Sequence, residues 1–183
     1  MPPIMRQVFR FFNKFFMVPM FQLGFGPFFG NPFTGYIMVM KVKGRKTGKV
    51  RLAPVNYAIH KGYVYCISGG RTTSDWFRNL LADPEIDLML PSGSIHARVE
   101  EVLEPGLKLT LCRQVLKNAG FAGFFEGYNP YTITDEGLSQ KIFDLPLLRF
   151  QLLGLGSGPS DAGGWVWIWT FVITTILIIF LFR

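Results

Sequence analysis

Tyr36-Ile37-Met38-Val39-Met40-Lys41-Val42 leads through Lys43 into Gly44-Arg45-Lys46-Thr47-Gly48-Lys49, and the chain continues as Val50-Arg51-Leu52-Ala53-Pro54-Val55-Asn56-Tyr57-Ala58-Ile59. The first run is apolar and rich in strand formers, and it predicts a strand ending at Gly44. Val50 to Ile59 predicts a second strand, so the glycine-bounded basic segment is a tight strand-loop-strand connection. Tyr63 to Ile67 adds a third, reached through the hairpin His60-Lys61-Gly62. Ile86 to Leu90 and Ile95 to Leu103 form a further hairpin across Pro91-Ser92-Gly93, and Leu147 to Leu153 gives a last strand. Two helices are inserted: Trp76 to Ala82, opened by Ser74 or Asp75 and stopped by Pro84, and Glu104-Pro105 to about Asn118, closed by Gly120. Short strands joined mainly by hairpins, with two helices between them, argue for an α+β, mainly β chain built as an antiparallel barrel or sandwich.

Charge is distributed unevenly along this frame. Residues 1–74 carry eleven Lys or Arg and no Asp or Glu, whereas all twelve acids and only eight basic residues follow from Asp75 onward. The net charge of +7 is therefore concentrated in the N-terminal part, which reads as a surface facing an anion. Four cations and two glycines within Gly44 to Arg51 are its densest point. The glycines let backbone approach a ligand closely, and Lys46, Lys49 and Arg51 line the way into the next strand, where a phosphate or carboxylate tail has cations to meet.

Several chemistries fall away. A nucleotide P-loop needs four residues between its glycines and Ser or Thr after the lysine, but three residues separate Gly44 from Gly48 and Val50 follows Lys49. No G-x-G-x-x-G stands at a strand-to-helix junction. His60 and His96 lack partners at metal-ligand spacing, so no metal is expected. Ser68 has no candidate histidine base nearby, and Glu100, Glu101 and Glu104 read as a solvated face. Cys66 and Cys112 read as buried thiols in a reducing compartment. The basic half is large enough for nucleic acid, yet its cations gather in one loop, and no nucleic-acid partner is expected.

The segments also predict an organisation: an amphipathic aromatic and basic helix with its connector over 1–35, a barrel over 36–153, a linker over 154–162 and a transmembrane anchor over 163–183. Arg6, Arg10 and Lys14 form a stripe among Phe9, Phe11, Phe12, Phe15 and Phe16, the pattern of an interfacial helix with membrane lipid as partner. Trp165 to Phe182 contains twelve Val, Ile, Leu or Phe, on the order of −4 to −7 kcal/mol for insertion, with Trp165, Trp167 and Trp169 as an aromatic belt. With the basic domain preceding the span, the expectation is a single-pass C-terminal membrane anchor and a domain facing the cytoplasm.

The run Gly44 to Tyr57, together with Ser68-Gly69-Gly70 and Asp75-Trp76-Phe77-Arg78-Asn79-Leu80-Leu81-Ala82-Asp83-Pro84, resembles the two signatures of the deazaflavin-dependent nitroreductase family, over roughly Met38 to Val102. The resemblance implies a split β-barrel, like those that bind flavin mononucleotide (FMN), that takes reduced coenzyme F420 and passes its hydride to a second substrate. It further implies that Lys46, Thr47 and Arg51 hold the coenzyme's phosphate and acidic tail, with Arg45 and Lys49 adding field and Gly48 admitting close approach. By the same resemblance Pro54 and Asn56 lie beside the ring system, and Ser68 is the catalytic hydroxyl at its hydride-bearing edge. Gly69 and Gly70 let backbone approach there, and Trp76 and Asn79 close the side. Tyr128 and Tyr131, in a late lid-like segment, stand for the family's substrate-side tyrosines. Both terminal segments point to a lipophilic acceptor at the membrane, such as a quinone or an unsaturated or nitro compound. FMN is the lesser alternative cofactor. The alternative function is a non-catalytic barrel holding a flavin-like cofactor or an acidic lipid headgroup.

Overall fold

The computed structural model describes residues 3–157 and 167–182. The N-terminal segment comprises helix α1 (Pro3–Phe12), a π-helical turn (Asn13–Met17) and helix α2 (Val18–Gln22). A 3-10 turn (Gly26–Phe29) and the two-residue strand β1 (Gly30–Asn31) lead to β2 (Gly35–Lys43), β3 (Val50–His60) and β4 (Tyr63–Ile67). Helix α3 (Asp75–Ala82) then precedes β5 (Glu85–Leu90) and β6 (Gly93–Glu101), and α4 (Pro105–Lys117) follows. A 3-10 turn (Gly120–Glu126), α5 (Asp135–Ile142), β7 (Leu147–Leu155) and α6 (Trp167–Leu181) complete the order.

All strand pairings are antiparallel, in the order β1-β2-β3-β4-β7-β6-β5. β2 also pairs with β5, Met40 opposite Leu88, so β2 to β7 close into a six-stranded barrel. The expected split-barrel class thus appears as a closed antiparallel barrel carrying helices.

Alternation explains the sealing of β2. Met38, Met40 and Val42 point into the barrel against Leu88 and Phe150, while Val39 points out beneath Met17 and Phe21 of the N-terminal segment. A strand covered on both faces reads as one apolar run, which is why it shows no polar alternation. Phe77 and Leu80 of α3 plug one end of the interior. On the outer face of β3, β4 and β7, α4 and α5 pack Leu111, Cys112, Val115, Leu138 and Ile142 over Ala58, Tyr65 and Leu147.

Two expectations are corrected here. The expected pair of inserted helices is incomplete, since α5 is a third, capped by the Thr134 hydroxyl, which accepts the Gly137 N–H at 3.1 Å. The membrane anchor and the location derived from it, with the domain facing the cytoplasm, are contradicted: among the described residues no helix is long and apolar enough to cross a membrane. α6 has 15 residues, roughly 22 Å at the usual helical rise, against a hydrocarbon core of about 30 Å. Residues 163–166 and 183 of the proposed span lie outside the described residues. Trp169, assigned to an aromatic belt, instead donates its indole N–H to the Phe15 carbonyl at 3.1 Å and meets the Phe16 ring edge-on at 5.7 Å.

Candidate active site

The β2–β3 connection is a rigid basic turn. Gly44 N–H donates to the Lys49 carbonyl (2.9 Å), and the N–H groups of Thr47 and Gly48 donate back to the Gly44 carbonyl (3.2 and 2.7 Å). Gly48 sits at φ +65°, a left-handed conformation that favours glycine. Gly44 is needed for space: a Cβ there would stand 2.9 Å from the Thr47 hydroxyl and 3.2 Å from the Lys49 carbonyl. Lys46, Thr47, Lys49 and Arg51 are exposed around this turn.

Helix α3 holds the turn in place. The buried Asn79 side-chain oxygen accepts from the Arg45 N–H (3.2 Å) and from the Arg45 guanidinium (2.8 Å). The same guanidinium donates to the Asp75 carbonyl at 3.4 Å and pairs with its carboxylate at 3.5 Å. Arg45 and Asn79, both expected to touch a cofactor, are therefore engaged with each other, and Trp76 packs partly buried against the barrel interior.

Ser68 is fully buried, its hydroxyl donating to the Arg71 carbonyl at 2.8 Å and lying 3.3 Å from the Ser74 hydroxyl. It closes the turn between β4 and α3. Gly70 belongs to the same knot, because a Cβ there would fall 2.2 Å from the Ser74 hydroxyl, whereas Gly69 is exposed with open space beside it. Arg71 follows at φ +55°, paired with Asp144.

A groove of about 140 Å³ lies where the N-terminal segment crosses β2 and β3. Phe9, Phe12 and Met17 form one wall, Ile37 and Pro54 to Asn56 the floor, and Phe121 with Ala122 the far side. The expected ring-side residues Pro54 and Asn56 thus line a largely aromatic groove. Arg51 stands three residues from Pro54 on the same strand, about 10 Å at the usual rise. β3 therefore floors an apolar recess and, a short chain's length away, carries Arg51 beside the cationic β2–β3 turn.

The two lid tyrosines are elsewhere. Tyr128 packs partly buried against the α4–α5 core. Tyr131 stacks on Phe124 at 6.4 Å and lies under the Lys117 ammonium at 5.3 Å. From that late segment it is Phe121 and Ala122 that reach the groove. Phe9, Phe12 and Met17 line the groove as well, a contribution that the local sequence pattern of their segment does not reveal.

The residues present fit a polyanion with a flat apolar end. Among the described residues Lys43, Arg45, Arg71, Arg98, Arg113 and Arg149 each pair with a carboxylate. Lys46, Lys49 and Arg51 have no such partner among the described residues, so they present net positive charge on a braced turn. No cluster suited to a metal ion occurs among the described residues.

The family model described as F420H(2)-dependent quinone reductase matches residues 20–119, which include the basic turn, β3, Ser68 and α3. No curated protein matches the chain at a significant level. Among solved structures the chain is similar to a candidate 5-nitroimidazole antibiotic resistance protein from Bacteroides thetaiotaomicron, with 8% identity, 64% of this chain and 73% of that one covered, and a TM-score of 0.48. A conserved hypothetical protein from Mycobacterium tuberculosis is similar at 18% identity, with 65% and 74% covered and a TM-score of 0.47. An F420 reductase is similar at 14% identity, with 67% and 90% covered and a TM-score of 0.43. At that level none of the three carries information about the reaction.

Proposed function

The chain belongs to the F420H(2)-dependent quinone reductase family, and from that premise we propose that it reduces a lipophilic quinone held in the groove between its N-terminal segment and β3. Membership makes the protein a deazaflavin-dependent oxidoreductase with F420 as its cofactor and a quinone as its small-molecule acceptor. When bound, reduced F420 supplies a hydride; the chain supplies position, charge and a dry surface.

The observation that carries the reading is the juxtaposition of the cationic β2–β3 turn, with Arg51 at the start of β3, and the aromatic recess floored by the same strand. In this reading Lys46, Thr47, Lys49 and Arg51 hold the coenzyme's phosphate and acidic tail, with Gly48 giving close approach. Pro54 and Asn56 flank its ring. Arg45 and Asn79 act as positioning residues, because their mutual hydrogen bonds fix the basic turn before any ligand arrives. Ser68 and Gly70 do the same for the β4–α3 turn, with Gly69 open beside them and Trp76 behind. Phe9, Phe12, Met17 and Phe121 exclude water from the acceptor, and their apolar character suits quinones and comparable unsaturated or nitro-substituted rings. Tyr128 and Tyr131 stiffen the surrounding lid from outside the groove.

Reduced F420 mixed with the protein and menadione tests this reading. Menadione-dependent reoxidation of the coenzyme is expected. Tight binding of coenzyme with no reoxidation by any quinone would overturn the acceptor assignment.

A further inference from the structure

We propose that Thr34 is the residue that recognises the acceptor's carbonyl group; the assignment rests on the quinone reading of the groove and names the polar contact within it. Two side-chain polar atoms among the described residues are buried without a hydrogen-bond partner, and one is the Thr34 hydroxyl, which lies in the groove wall. A buried hydroxyl without a partner is disfavoured, and where one persists its surroundings point to a function.

The backbone at Thr34 is held firmly. The Asn31 side-chain oxygen accepts the N–H groups of Phe33 and Thr34, each at 3.0 Å. On the other side the Phe33 carbonyl accepts the Phe121 N–H at 3.3 Å, and the Tyr36 N–H donates to the Asn118 carbonyl at 2.8 Å. Gly35 (φ +91°) and Gly120 (φ +57°) allow these strands of chain to touch, since a Cβ at Gly120 would fall 2.4 Å from the Phe33 carbonyl. The Thr34 backbone is thus held fast, and its hydroxyl belongs to a groove lined mainly by Phe9, Phe12, Phe29 and Ile37, with Asn13 and Asn56 as the other polar side chains. Opposite, the N-terminal segment changes to π-helical geometry over Asn13–Met17, and both ends of that turn line the same groove. π-Helical turns inside α-helices occur frequently at functional sites.

The chemistry that suits a few polar side chains in a mainly aromatic groove is a flat apolar ring bearing a carbonyl. A quinone that takes up a hydride gains two electrons and one proton, and negative charge gathers on a carbonyl oxygen until a second proton from water completes the hydroquinone. A donor that meets that oxygen stabilises the charged state more than the neutral one.

The test compares wild type, Thr34→Val and Thr34→Ser, each saturated with oxidised F420. Equilibrium dialysis measures their affinities for menadione and for its carbonyl-free analogue 2-methylnaphthalene. For Thr34→Val, menadione affinity falls roughly 3- to 10-fold, as loss of one hydrogen bond implies. Its 2-methylnaphthalene and F420 affinities are unchanged. Thr34→Ser retains menadione affinity. Thermal melting of Thr34→Val is unchanged or raised, because no intramolecular partner is lost. Equal weakening toward both naphthalenes, unchanged menadione affinity, or a loss confined to F420 overturns the Thr34 assignment while leaving the acceptor reading intact. If wild type binds neither naphthalene, the acceptor reading itself falls and Thr34 falls with it.

Discussion

Asn79→Ala probes the brace that holds the basic turn. The substitution removes one oxygen that accepts two donors of Arg45, at 3.2 and 2.8 Å, in a side chain only 4% exposed. The neutral bond contributes about 0.5–1.5 kcal/mol and the guanidinium bond about 1.5–3 kcal/mol. Alanine returns about 0.5 kcal/mol of helix propensity within α3. The Asp75 carbonyl at 3.4 Å keeps part of the guanidinium in place, and the Asp75 carboxylate adds little because its side chain is 86% exposed. The net loss is about 1.5–3 kcal/mol, or about 3–12 °C in Tm for a chain of this size. The coenzyme-binding effect is indirect. If the braced turn falls to between a half and a tenth of the population, the apparent Kd for F420 rises about 2- to 10-fold. Thermal melting and fluorescence titration with F420 measure the two effects on the same samples, and Asn79→Asp, which keeps the oxygen beside Arg45, retains affinity. Destabilised Asn79→Ala that binds F420 with wild-type affinity would refute the reasoning that the brace prepares the site.

Other outcomes follow from the same geometry. Gly44→Ala crowds the Thr47 hydroxyl and the Lys49 carbonyl, so F420 affinity drops by about 5-fold or more while Tm moves by only a few degrees, since the strain of roughly 1–2 kcal/mol stays in the turn. At Asp87, burial alone raises the carboxyl pKa, but the Ser157 hydroxyl, His96 at 2.9 Å, the Ser157 N–H and Lys41 outweigh it and hold the carboxyl below its ordinary value. A depressed carboxyl contributes stability above the unfolded value of about 3.9 and loses it as pH falls through the lower folded value. Urea midpoints of Asp87→Asn and wild type therefore differ at pH 7 and converge as pH falls through the lowered folded value. Burial pushes the Cys112 thiol up to about 12, against a smaller opposing effect of Lys108, and burial with Cys112 nearby raises Cys66 further. Iodoacetamide at pH 8 accordingly labels neither thiol in native protein and both in guanidinium; stability falls as pH rises above about 8.5, where unfolded thiols ionise.

The barrel was legible because its strands carry local signals. β4 matches its expected limits, β3 and β5 differ from theirs by one residue at one end, and β2 by one residue at each end. Helix α5 carries local signals of its own, Thr134 before Asp135 and Glu136 and Leu138 and Ile142 four apart, but the run of aromatics before it resembles a lid more than a helix entry. The basic turn was legible as charge density. Its brace was not, since nothing local tells that Arg45 and Asn79, 34 positions apart, bond to each other. The C-terminal segment misled because an apolar run shows composition but not where its helix starts and stops: the described helix has 15 residues, none of them buried. Phe9, Phe12 and Met17 face the groove, and Trp169 meets Phe15 and Phe16. Thr34 gave no signal at all, because its importance lies in what its hydroxyl fails to meet.

The most direct test of the account is a fluorescence titration of the protein with F420 at low and high salt, alongside FMN and the Lys46→Ala/Arg51→Ala variant. Saturable F420 binding is expected, at least 30-fold weaker in the double variant at low salt, as about 1–1.5 kcal/mol per lost cation implies, and less sensitive to that change at high salt. FMN, which lacks the acidic tail, binds more weakly. Equal affinity for F420 and FMN, or F420 binding indifferent to both cations, would contradict the claim that the β2–β3 turn grips the coenzyme.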